Sequence, residues 1–338
     1  MKAMILERTV SLDEDPAPLR LVDLPTPQPA SNELLVRVSA CGVCHTELDE
    51  IEGRLTPPRL PVVLGHEVVG HVAQCGVDVK SRAVGDRVGI GWIHHSSGEP
   101  DENLSPEFAG TGCDVNGGYA QYMTVPADYA APIPDALEDT EAAPLLCAGA
   151  IGYRALRLAA ITDGEPLGLM GFGGSAHLVL QVAKHLYPRS PIYIFAREPS
   201  VQQFAVQLGA DWAGNVDQQP PRPLASIIDT TPAWRPVVES MKKLKPGGRL
   251  VINAIRKEDS DKAVLLQLSY HEHLWMEREI KSVANLTRRD IAEFLPLAAR
   301  IPLRPEVTVY PLEQANEALL NLRQGGIKGA NVLQVGHP

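Results

Sequence analysis

The sequence predicts an α/β protein with two domains, a β-rich domain followed by a parallel sheet that carries helices on both faces. Its first ~140 residues alternate short apolar segments, such as Leu34–Ala40 and Val68–Cys75, with turn signals rich in Gly and Pro. That texture is typical of a compact, barrel-like β domain. From about Gly149, strand and helix patterns alternate, and the strands are apolar almost throughout, which indicates a parallel sheet buried on both faces.

The elements of the second part follow from hydrophobic period and turn residues. Strands are predicted at Leu167–Gly171, Ile192–Ala196, Ala225–Asp229, Arg249–Ala254 and Glu279–Ala284, and helices at Ser175–Leu186, Val201–Leu208 and Val237–Leu244. One face of the first helix is apolar throughout: Val179, Val182, Ala183 and Leu186. Lys245–Gly248 reads as a turn that leads into the next strand. We expect domains at 1–148 and 149–286, with a C-terminal segment, 287–338, that returns to the first domain.

Composition and charge exclude several classes of function. The formal net charge of −10 repels phosphate backbones, so nucleic acid is not an expected partner. The apolar stretch Ala142–Tyr153 is too short to span a membrane, and Met1–Val10 lacks the apolar core of a signal peptide. We therefore expect a cytoplasmic protein without membrane contact. The five cysteines, an odd and sparse set, argue against a disulfide framework and leave packing or metal binding as their roles.

A glycine-rich turn between a predicted strand and a predicted helix indicates a dinucleotide site. It fits G-x-G-x-x-A: Gly171 allows a tight turn, Gly173 lets a pyrophosphate approach, and Ala176 permits close helix–strand packing. The helix that begins near Gly174 and Ser175 would offer free N–H groups and a positive dipole end to the phosphates. Such turns also occur without a ligand, so the interpretation depends on the surrounding series of strands and helices.

The end of the second predicted strand bears on the choice of cofactor. Dinucleotide folds usually place an acidic residue there to bind the ribose 2′-hydroxyl. Here that position is predicted at Ala196, followed by Arg197, and this pair favours the 2′-phosphate of NADP(H) over NAD(H). A shift of the strand end by one residue would instead offer Glu198, and Arg197 could also be an ordinary surface residue.

Three residues of the β-rich domain are candidate soft metal ligands. Cys44 follows a strand and a flexible glycine, His66 is flanked by Gly65, and Cys147 lies at the junction with the second domain. Two thiolates and one imidazole would leave a fourth tetrahedral position open for water or substrate. Taken singly, each residue also fits ordinary packing, which is the role we expect for Cys41 and Cys75.

Six stretches of the chain together resemble the zinc-containing medium-chain dehydrogenase/reductases, in their alcohol dehydrogenase branch. They occur in the family's order and spacing: CGVCHTELDEIEG (41–53), PVVLGHEVVGHV (61–72), VGDRVGIGW (84–92), GGYAQYMTV (117–125), LLCAGAIGYRAL (145–156) and GFGGSAHLVLQVAKHL (171–186). The resemblance implies a GroES-like catalytic domain joined to a Rossmann-type domain, and oxidation of an alcohol or reduction of an aldehyde or ketone by hydride transfer. It also implies a homodimer or homotetramer.

The resemblance assigns roles to individual positions. Cys44, His66 and Cys147 match the catalytic zinc ligands, a set that is known from alcohol dehydrogenases themselves. Glu67 matches an acidic neighbour that can approach the metal as a transient ligand, and Glu47 matches the carboxylate that orients the imidazole. Three further matches are a hydroxyl that hydrogen-bonds the substrate oxygen, a residue near the cofactor pyrophosphate and a residue of the substrate pocket: Thr46, His45 and Trp92.

Four departures from the family limit what the resemblance implies. Many relatives hold a structural zinc with four cysteines after the Trp92 region. This chain has no C-x₂-C run there and has Ser105 at the usual last position, so we expect one zinc and an exposed loop. A remnant site would have to use His94, His95 and Cys113. Asp49 stands where several relatives have a relay histidine, Ala330 stands where many have an arginine that contacts the pyrophosphate, and Ala196-Arg197 bears on the cofactor as argued above.

Other functions remain possible at this point. A zinc-free quinone or enone reductase of the same superfamily would lack the ligand set of Cys44, His66 and Cys147. A polyol dehydrogenase usually has a glutamate-type third ligand in place of a cysteine. A non-catalytic cofactor-binding protein would need neither the ligands nor Thr46. The sequence leaves open which alcohol or aldehyde is the substrate.

Overall fold

The computed structural model describes residues 1–325 and 329–336 of the chain. Contacts between Cα atoms divide it into two units, one of Met1–Ala150 with Asn285–Pro338 and the other of Ile151–Ala284. The strands are β1 Lys2–Leu6, β2 Leu19–Asp23, β3 Glu33–Val43, β4 Val62–Val63, β5 Val68–Cys75, β6 Arg87–Ile90, β7 Ile93–His95, β8 Ala109–Gly110, β9 Tyr122–Pro126, β10 Ala131–Pro132, β11 Leu167–Met170, β12 Ile192–Phe195, β13 Trp212–Gly214, β14 Leu224–Asp229, β15 Leu244–Ile252, β16 Glu279–Ser282, β17 Val307–Pro311 and β18 Ala330–Gln334. The α-helices are α1 His45–Ile51, α2 Asp139–Ala142, α3 Ala148–Ala159, α4 Gly174–Leu186, α5 Pro199–Gln207, α6 Arg235–Lys243, α7 Arg288–Arg300 and α8 Ala315–Gln324.

The first unit is built on a mostly antiparallel sheet in which β3 is the central strand. β3 pairs with β5, β9 and β18 in a seven-stranded sheet, while β1, β2 and β4 form a smaller one. The chain from Asn285 onward supplies β17 and β18 to the larger sheet, and Asn331 of β18 pairs with Val43 at the end of β3. The C-terminal segment therefore supports the strand that leads directly into Cys44.

The second unit is a six-stranded, wholly parallel sheet with the order β13-β12-β11-β14-β15-β16. Every residue of β11, β12 and β14 is buried, as expected for strands covered on both faces. From β11 the chain first builds β12 and β13 on one side and then β14 to β16 on the other. The strand order thus reverses beside β11, where open parallel sheets bind ligands beyond the carboxyl ends of their strands. The predicted α/β fold class is confirmed.

Several local predictions differ from the structure. Leu186 is exposed at the end of α4, so three of the four residues predicted for the buried face are buried: Val179, Val182 and Ala183. Lys245–Gly248 lies inside β15 as a bulge, because Leu224 pairs with Leu244 and Ser226 pairs with Arg249. Gly247, with φ of 68°, supplies the left-handed conformation that the bulge needs.

The apolar segment Arg87–Ile93, which the sequence favours as one strand, is divided into β6 and β7. A Cβ atom on Gly91 would lie 2.7 Å from Ile291 Cδ1 and 3.0 Å from the Leu146 carbonyl oxygen, so only glycine allows the chain to pass there. The interruption leaves Trp92 outside both strands. Among the described residues, no helix is long and apolar enough to cross a membrane.

Candidate metal centre and dinucleotide turn

Four side chains of the first unit bring their ligand atoms within 4.8 Å of one another: Cys44, His66, Glu67 and Cys147. Cys44 lies between the end of β3 and the start of α1, and His66 and Glu67 immediately precede β5. Cys147 lies between a short 3₁₀ turn and α3, and its Sγ atom is 3.9 Å from that of Cys44. Three segments that are distant in sequence thus converge at one buried point.

The donor set fits a soft, tetrahedrally coordinated cation. His66 is completely buried, and its Nε2 atom has no hydrogen-bond partner among the described residues. A buried ring nitrogen without a partner is costly unless a metal or another group binds it. Two sulfur atoms, one imidazole nitrogen and one carboxylate are donor types that zinc accepts.

Glu47 connects two members of this cluster through its two oxygen atoms. Oε2 accepts a hydrogen bond from the Cys44 backbone N–H at 2.8 Å, and Oε1 lies 2.6 Å from His66 Nδ1. Burial alone would lower the pKa of His66, but the charge of Glu47, together with Cys44, raises it well above its usual value. Glu47 therefore orients the imidazole so that Nε2 remains for a ligand, as a carboxylate beside a metal-bound histidine does.

The pKa values of the Cys44 and Cys147 thiols are shifted in opposite directions. A hydrogen bond from Cys147 holds the pKa of Cys44 well below its usual range. The same hydrogen bond, together with burial, raises the pKa of Cys147 well above its usual value. A metal ion that binds both sulfurs as thiolates would displace the protons that they hold.

Glu67 occupies space that a glycine in β3 leaves open. A Cβ atom on Gly42 would lie 1.7 Å from Glu67 Oε2, so a larger residue at position 42 would displace the Glu67 side chain. The carboxyl group is buried beside the sulfur of Cys44, and burial and that charge raise its pKa well above the usual value. Cys41 is fully buried and Cys75 donates to the Arg82 carbonyl oxygen, so neither belongs to the cluster.

The remaining residues of α1 fall into different surroundings. Thr46 is buried, with Oγ1 3.7 Å from Cys44 Sγ, whereas His45 is exposed at the start of the helix. Asp49 is buried too, and its Oδ1 accepts a hydrogen bond of 2.6 Å from Arg54 Nε. The carboxylate that stands at the relay position is therefore held in an ion pair with a half-exposed arginine.

An aromatic pair lies next to the metal cluster. The ring centroid of Trp92 is 6.0 Å from that of His66, and Phe108 meets Trp92 edge to face at 6.1 Å. Both aromatic side chains are half-buried. Trp92 was a predicted pocket residue and Phe108 was not. Phe108 lies against Trp92 because β7 pairs with β8, and nothing in the sequence near Phe108 indicates that pairing.

The residues of the conceivable remnant site do not form a three-residue cluster in the described part of the chain. His94 Nδ1 lies 3.0 Å from His95 Nδ1 while its Nε2 lies 3.2 Å from the Thr124 carbonyl oxygen. Cys113 lies against the buried Glu50, and burial together with that carboxylate raises the pKa of the thiol to about 12. In 1–325 and 329–336, the four residues around Cys44 are the one group of three or more potential ligands this close together.

The segment after β7 is attached to the rest of its unit by a buried carboxylate. Glu102 Oε1 accepts a hydrogen bond of 2.7 Å from the Arg288 backbone N–H, and Oε2 accepts one of 3.0 Å from the Tyr129 hydroxyl. Ser96 donates to the Glu102 carbonyl oxygen at 2.7 Å, and Arg288 donates to the carbonyl oxygen of Gly98 at 2.9 Å. Polar contacts to α7 and to the turn after β9 therefore organise this segment.

The glycine-rich turn of the second unit lies where β11 ends and α4 begins. Gly171 has φ of 84°, and a Cβ atom there would meet Thr230 Oγ1 at 2.9 Å. Gly173 precedes Gly174, the first residue of α4, and a Cβ atom on Gly173 would meet nothing within 4 Å. Ala176 lies on the buried side of α4 and is 1% exposed. Internal packing thus accounts for Gly171 and Ala176, whereas the free space at Gly173, next to the amides of Gly174 and Ser175, suits an external ligand.

The strand end that bears on cofactor choice lies one residue earlier than predicted. β12 ends at Phe195, although the Ala196 N–H still donates to the Gly214 carbonyl oxygen at 2.9 Å. Arg197 and Glu198 are both exposed beyond it, and Glu198 precedes the first residue of α5. Ala330, at the position where many relatives have an arginine, begins β18 and donates its N–H to the Glu306 carbonyl oxygen at 2.9 Å.

Comparisons with known proteins agree with this architecture. A model of the alcohol dehydrogenase GroES-like domain matches residues 30–135. The chain is 42% identical over 332 residues to a probable alcohol dehydrogenase, AdhA, of Mycobacterium tuberculosis, which covers 95% of this chain and 94% of that protein. It is 35% identical over 335 residues to an alcohol dehydrogenase of Geobacillus stearothermophilus, with coverage of 94% and 96%. A cobalt- and zinc-bound thermostable alcohol dehydrogenase from Pyrobaculum aerophilum has the same fold, with a TM-score of 0.84, 23% identity and 99% of each chain covered.

Proposed function

We propose, from the premise that this chain belongs to the alcohol dehydrogenases of the medium-chain dehydrogenase/reductase family, that it is a zinc-dependent enzyme with a nicotinamide cofactor. Its class, an oxidoreductase acting on small alcohols and the corresponding carbonyl compounds, follows from that membership. The metal, its ligands and the cofactor preference are the parts that we infer from the residues of this chain.

Cys44, His66 and Cys147 are the proposed zinc ligands. The observation that carries this proposal is their convergence with Glu67 within 4.8 Å, at a buried His66 whose Nε2 has no partner among the described residues. Zinc in this position would polarise the oxygen of a bound alcohol and lower its pKa, so that hydride can leave toward a nicotinamide. Three protein ligands are also the number that leaves an open coordination position for substrate.

Thr46 is the proposed proton acceptor next to the substrate oxygen. Its hydroxyl lies 3.7 Å from the Cys44 sulfur, at the buried start of α1, and a hydroxyl can accept one proton while it donates another. Asp49, at the relay position beyond Thr46, already accepts a hydrogen bond from Arg54 at its Oδ1. Glu67 is proposed to stay close to the metal without being a permanent ligand, since burial favours its neutral form.

We propose that the turn from Gly171 to Ala176 binds the pyrophosphate of the cofactor and that NADP(H) is preferred. The open space at Gly173 and the N-terminus of α4 support the first part. The second part depends on Arg197, which is exposed just after β12, where the 2′-phosphate of NADP(H) would need a cation. Glu198 is exposed as well and, if it met the ribose, would instead favour NAD(H).

The proposed substrate pocket includes Trp92, whose ring lies beside that of His66, and Phe108, whose ring lies against that of Trp92. We also propose that the enzyme is a homo-oligomer. β16 is the last strand of its sheet, and all four of its residues are exposed. The exposed apolar residues next to it are Leu268, Tyr270, Leu274, Trp275 and Met276.

Metal analysis of the purified protein tests the central proposal. We expect about one zinc per chain in the wild type and loss of most zinc and activity in Cys44→Ser, because a serine hydroxyl is a poor zinc ligand at neutral pH. Cys75→Ser, outside the cluster, serves as the matched control and should keep both. A wild-type enzyme that oxidises alcohols with full activity after zinc has been removed would contradict the proposal.

A further inference from the structure

A buried ion pair between two residues that have no role in the site described above lies at the carboxyl end of the parallel sheet. Asp229 is the last residue of β14 and is completely buried. Its Oδ2 accepts a hydrogen bond of 2.5 Å from Lys257 Nζ, and the Lys257 side chain is only 8% exposed. The dehydrogenase chemistry proposed above makes no use of this lysine, and a buried cation is costly unless its surroundings compensate for it.

All three N–H groups of the Lys257 ammonium find acceptors in the chain that leaves β14. Besides Asp229, Lys257 donates to the carbonyl oxygens of Thr231 at 2.7 Å and Ala233 at 3.1 Å. Asp229 Oδ1 in turn accepts from the Thr231 backbone N–H at 3.0 Å and from its hydroxyl at 2.8 Å. With its donors occupied, Lys257 is unsuited to bind a phosphate directly, and it instead holds residues 229–233 in one conformation.

The segment that Lys257 holds packs directly against the glycine-rich turn. Thr230 donates through both its backbone N–H and its hydroxyl to the Met170 carbonyl oxygen, at 3.0 and 3.1 Å. A Cβ atom on Gly171 would lie 2.9 Å from Thr230 Oγ1 and 3.0 Å from Thr231 Cγ2. Thr230 and Thr231 therefore form the surface on which the first residue of the turn rests.

We propose that Lys257 is a positioning residue for cofactor binding, acting through Asp229 and Thr231 on the turn at Gly171. The inference rests on the proposed role of Gly171–Ala176 in binding the pyrophosphate. Amide groups that bind a phosphate must keep their geometry to within about 0.5 Å. Without Lys257, Thr230 and Thr231, which follow β14, would be free to move under the turn at Gly171. The Lys257 ammonium connects these two residues to the loop that follows β15.

The test compares binding of two probes to the zinc-loaded enzyme. ADP-ribose has the pyrophosphate that the turn would bind, and AMP lacks its second phosphate. The variants are Lys257→Met and the double variant Asp229→Asn/Lys257→Met. In both, we expect the Kd for ADP-ribose to rise about tenfold and the Kd for AMP to rise less than about threefold. The reason is that these variants lose only the charged hydrogen bonds that support the turn, and the turn binds the pyrophosphate. We expect a higher KM for the cofactor with kcat at saturating cofactor changed by less than about twofold.

The controls separate this inference from the function on which it rests. Lys262→Met removes an exposed lysine that pairs with Asp259 at 3.1 Å in the same loop, and it should bind both probes as the wild type does. The double variant avoids the buried, unpaired carboxylate that Lys257→Met alone would leave at Asp229. If the double variant does not fold, Thr231→Val replaces it, because it loses only the hydroxyl hydrogen bond to Asp229. Folded variants that bind ADP-ribose within about twofold of the wild type, or that lose both probes equally, overturn the inference but leave the proposed function intact. A wild type that binds neither probe overturns both.

Discussion

Glu47 links the backbone of one proposed zinc ligand to the side chain of another. Its Oε2 accepts from Cys44 N, and its Oε1 lies 2.6 Å from His66 Nδ1. Since both oxygen atoms are engaged and the residue is completely buried, the carboxylate cannot move without disturbing one ligand. It also supplies the negative charge that favours the orientation of His66 with Nε2 toward the cluster.

We expect Glu47→Gln to weaken zinc binding about 10- to 100-fold, as loss of a carboxylate beside a metal-bound histidine typically does. The amide keeps the shape of the side chain, so the far-ultraviolet circular dichroism should not change. Zinc affinity can be measured by competition with a chromogenic chelator. Glu7→Gln, at an exposed residue paired with Arg20, is the control. Zinc affinity equal to that of the wild type would show that Glu47 does not orient His66.

Arg197 and Glu198 are adjacent, exposed and of opposite charge, so either can meet the adenosine ribose of a cofactor. Arg197→Ala should raise KM for NADPH about tenfold or more and leave KM for NADH nearly unchanged, because only NADPH has the 2′-phosphate that a cation attracts. Steady-state kinetics with both cofactors measure this, with Arg189→Ala, an exposed arginine paired with Asp163, as the control. Equal effects on both cofactors would contradict the preference for NADP(H).

The two glycines Gly171 and Gly173, in the turn between β11 and α4, have different roles. Gly171 has a left-handed backbone and rests on Thr230, so its role lies within the fold. Gly173 has an extended backbone, with φ of −100° and ψ of −158°, and open space beside it. A side chain at Gly171 is therefore strained and crowded, whereas one at Gly173 is acceptable until a ligand arrives.

We expect Gly173→Val to fold with an unfolding temperature close to that of the wild type but to lose cofactor binding, because the added methyl groups occupy the space of the pyrophosphate. Gly171→Val should instead destabilise the protein by about 1–3 kcal/mol through backbone strain and the contact with Thr230. Thermal unfolding and cofactor titration distinguish the two variants. A Gly173→Val enzyme with normal cofactor affinity would place the pyrophosphate elsewhere.

The parallel sheet of the second unit ends at β16, which has no strand on its outer side among the described residues. β16 presents exposed backbone groups, and the apolar side chains nearby include Tyr270 and Trp275, whose rings are 5.6 Å apart. A monomer that left such an edge uncovered would tend to aggregate. A second copy of the chain, related by a two-fold axis, can cover the edge by pairing β16 with its own counterpart.

We expect the wild type to be a dimer or larger and Ile280→Glu to shift it toward the monomer, since an interface of standard size tolerates a buried unpaired charge poorly. Ile280 is exposed in β16, and Val309→Glu, at an exposed position of β17 in the other unit, is the matched control. Sedimentation velocity measures the result. A monomeric wild type, or a dimer unaffected by Ile280→Glu, would exclude this edge as the interface.

Much of the fold could be predicted because its signals are local. The apolar segments of β11, β12 and β14 and the glycine turn before α4 lie at or within one or two residues of the predicted positions. The errors have physical causes that lie elsewhere in the chain. The predicted strand is interrupted at Gly91, where a Cβ atom would lie 2.7 Å from Cδ1 of Ile291, a residue distant in the sequence. Leu186 was expected in the buried face, but α4 ends there.

The amino-acid sequence by itself determined the kinds of elements, the ligand types of the proposed metal site and the family of the chain. These properties depend on hydrophobic period, turn residues and motifs, which are local in the chain. The resemblance had already assigned Glu47 to the imidazole of His66. Only the tertiary structure decided that Glu47 also accepts from the Cys44 backbone N–H, that Arg54 donates to Asp49, and that Phe108 lies against Trp92. It also decided that Lys257 is buried on Asp229. Such contacts depend on strand register and on the packing of loops, and the residues that form them carry no mark of their partners in the sequence.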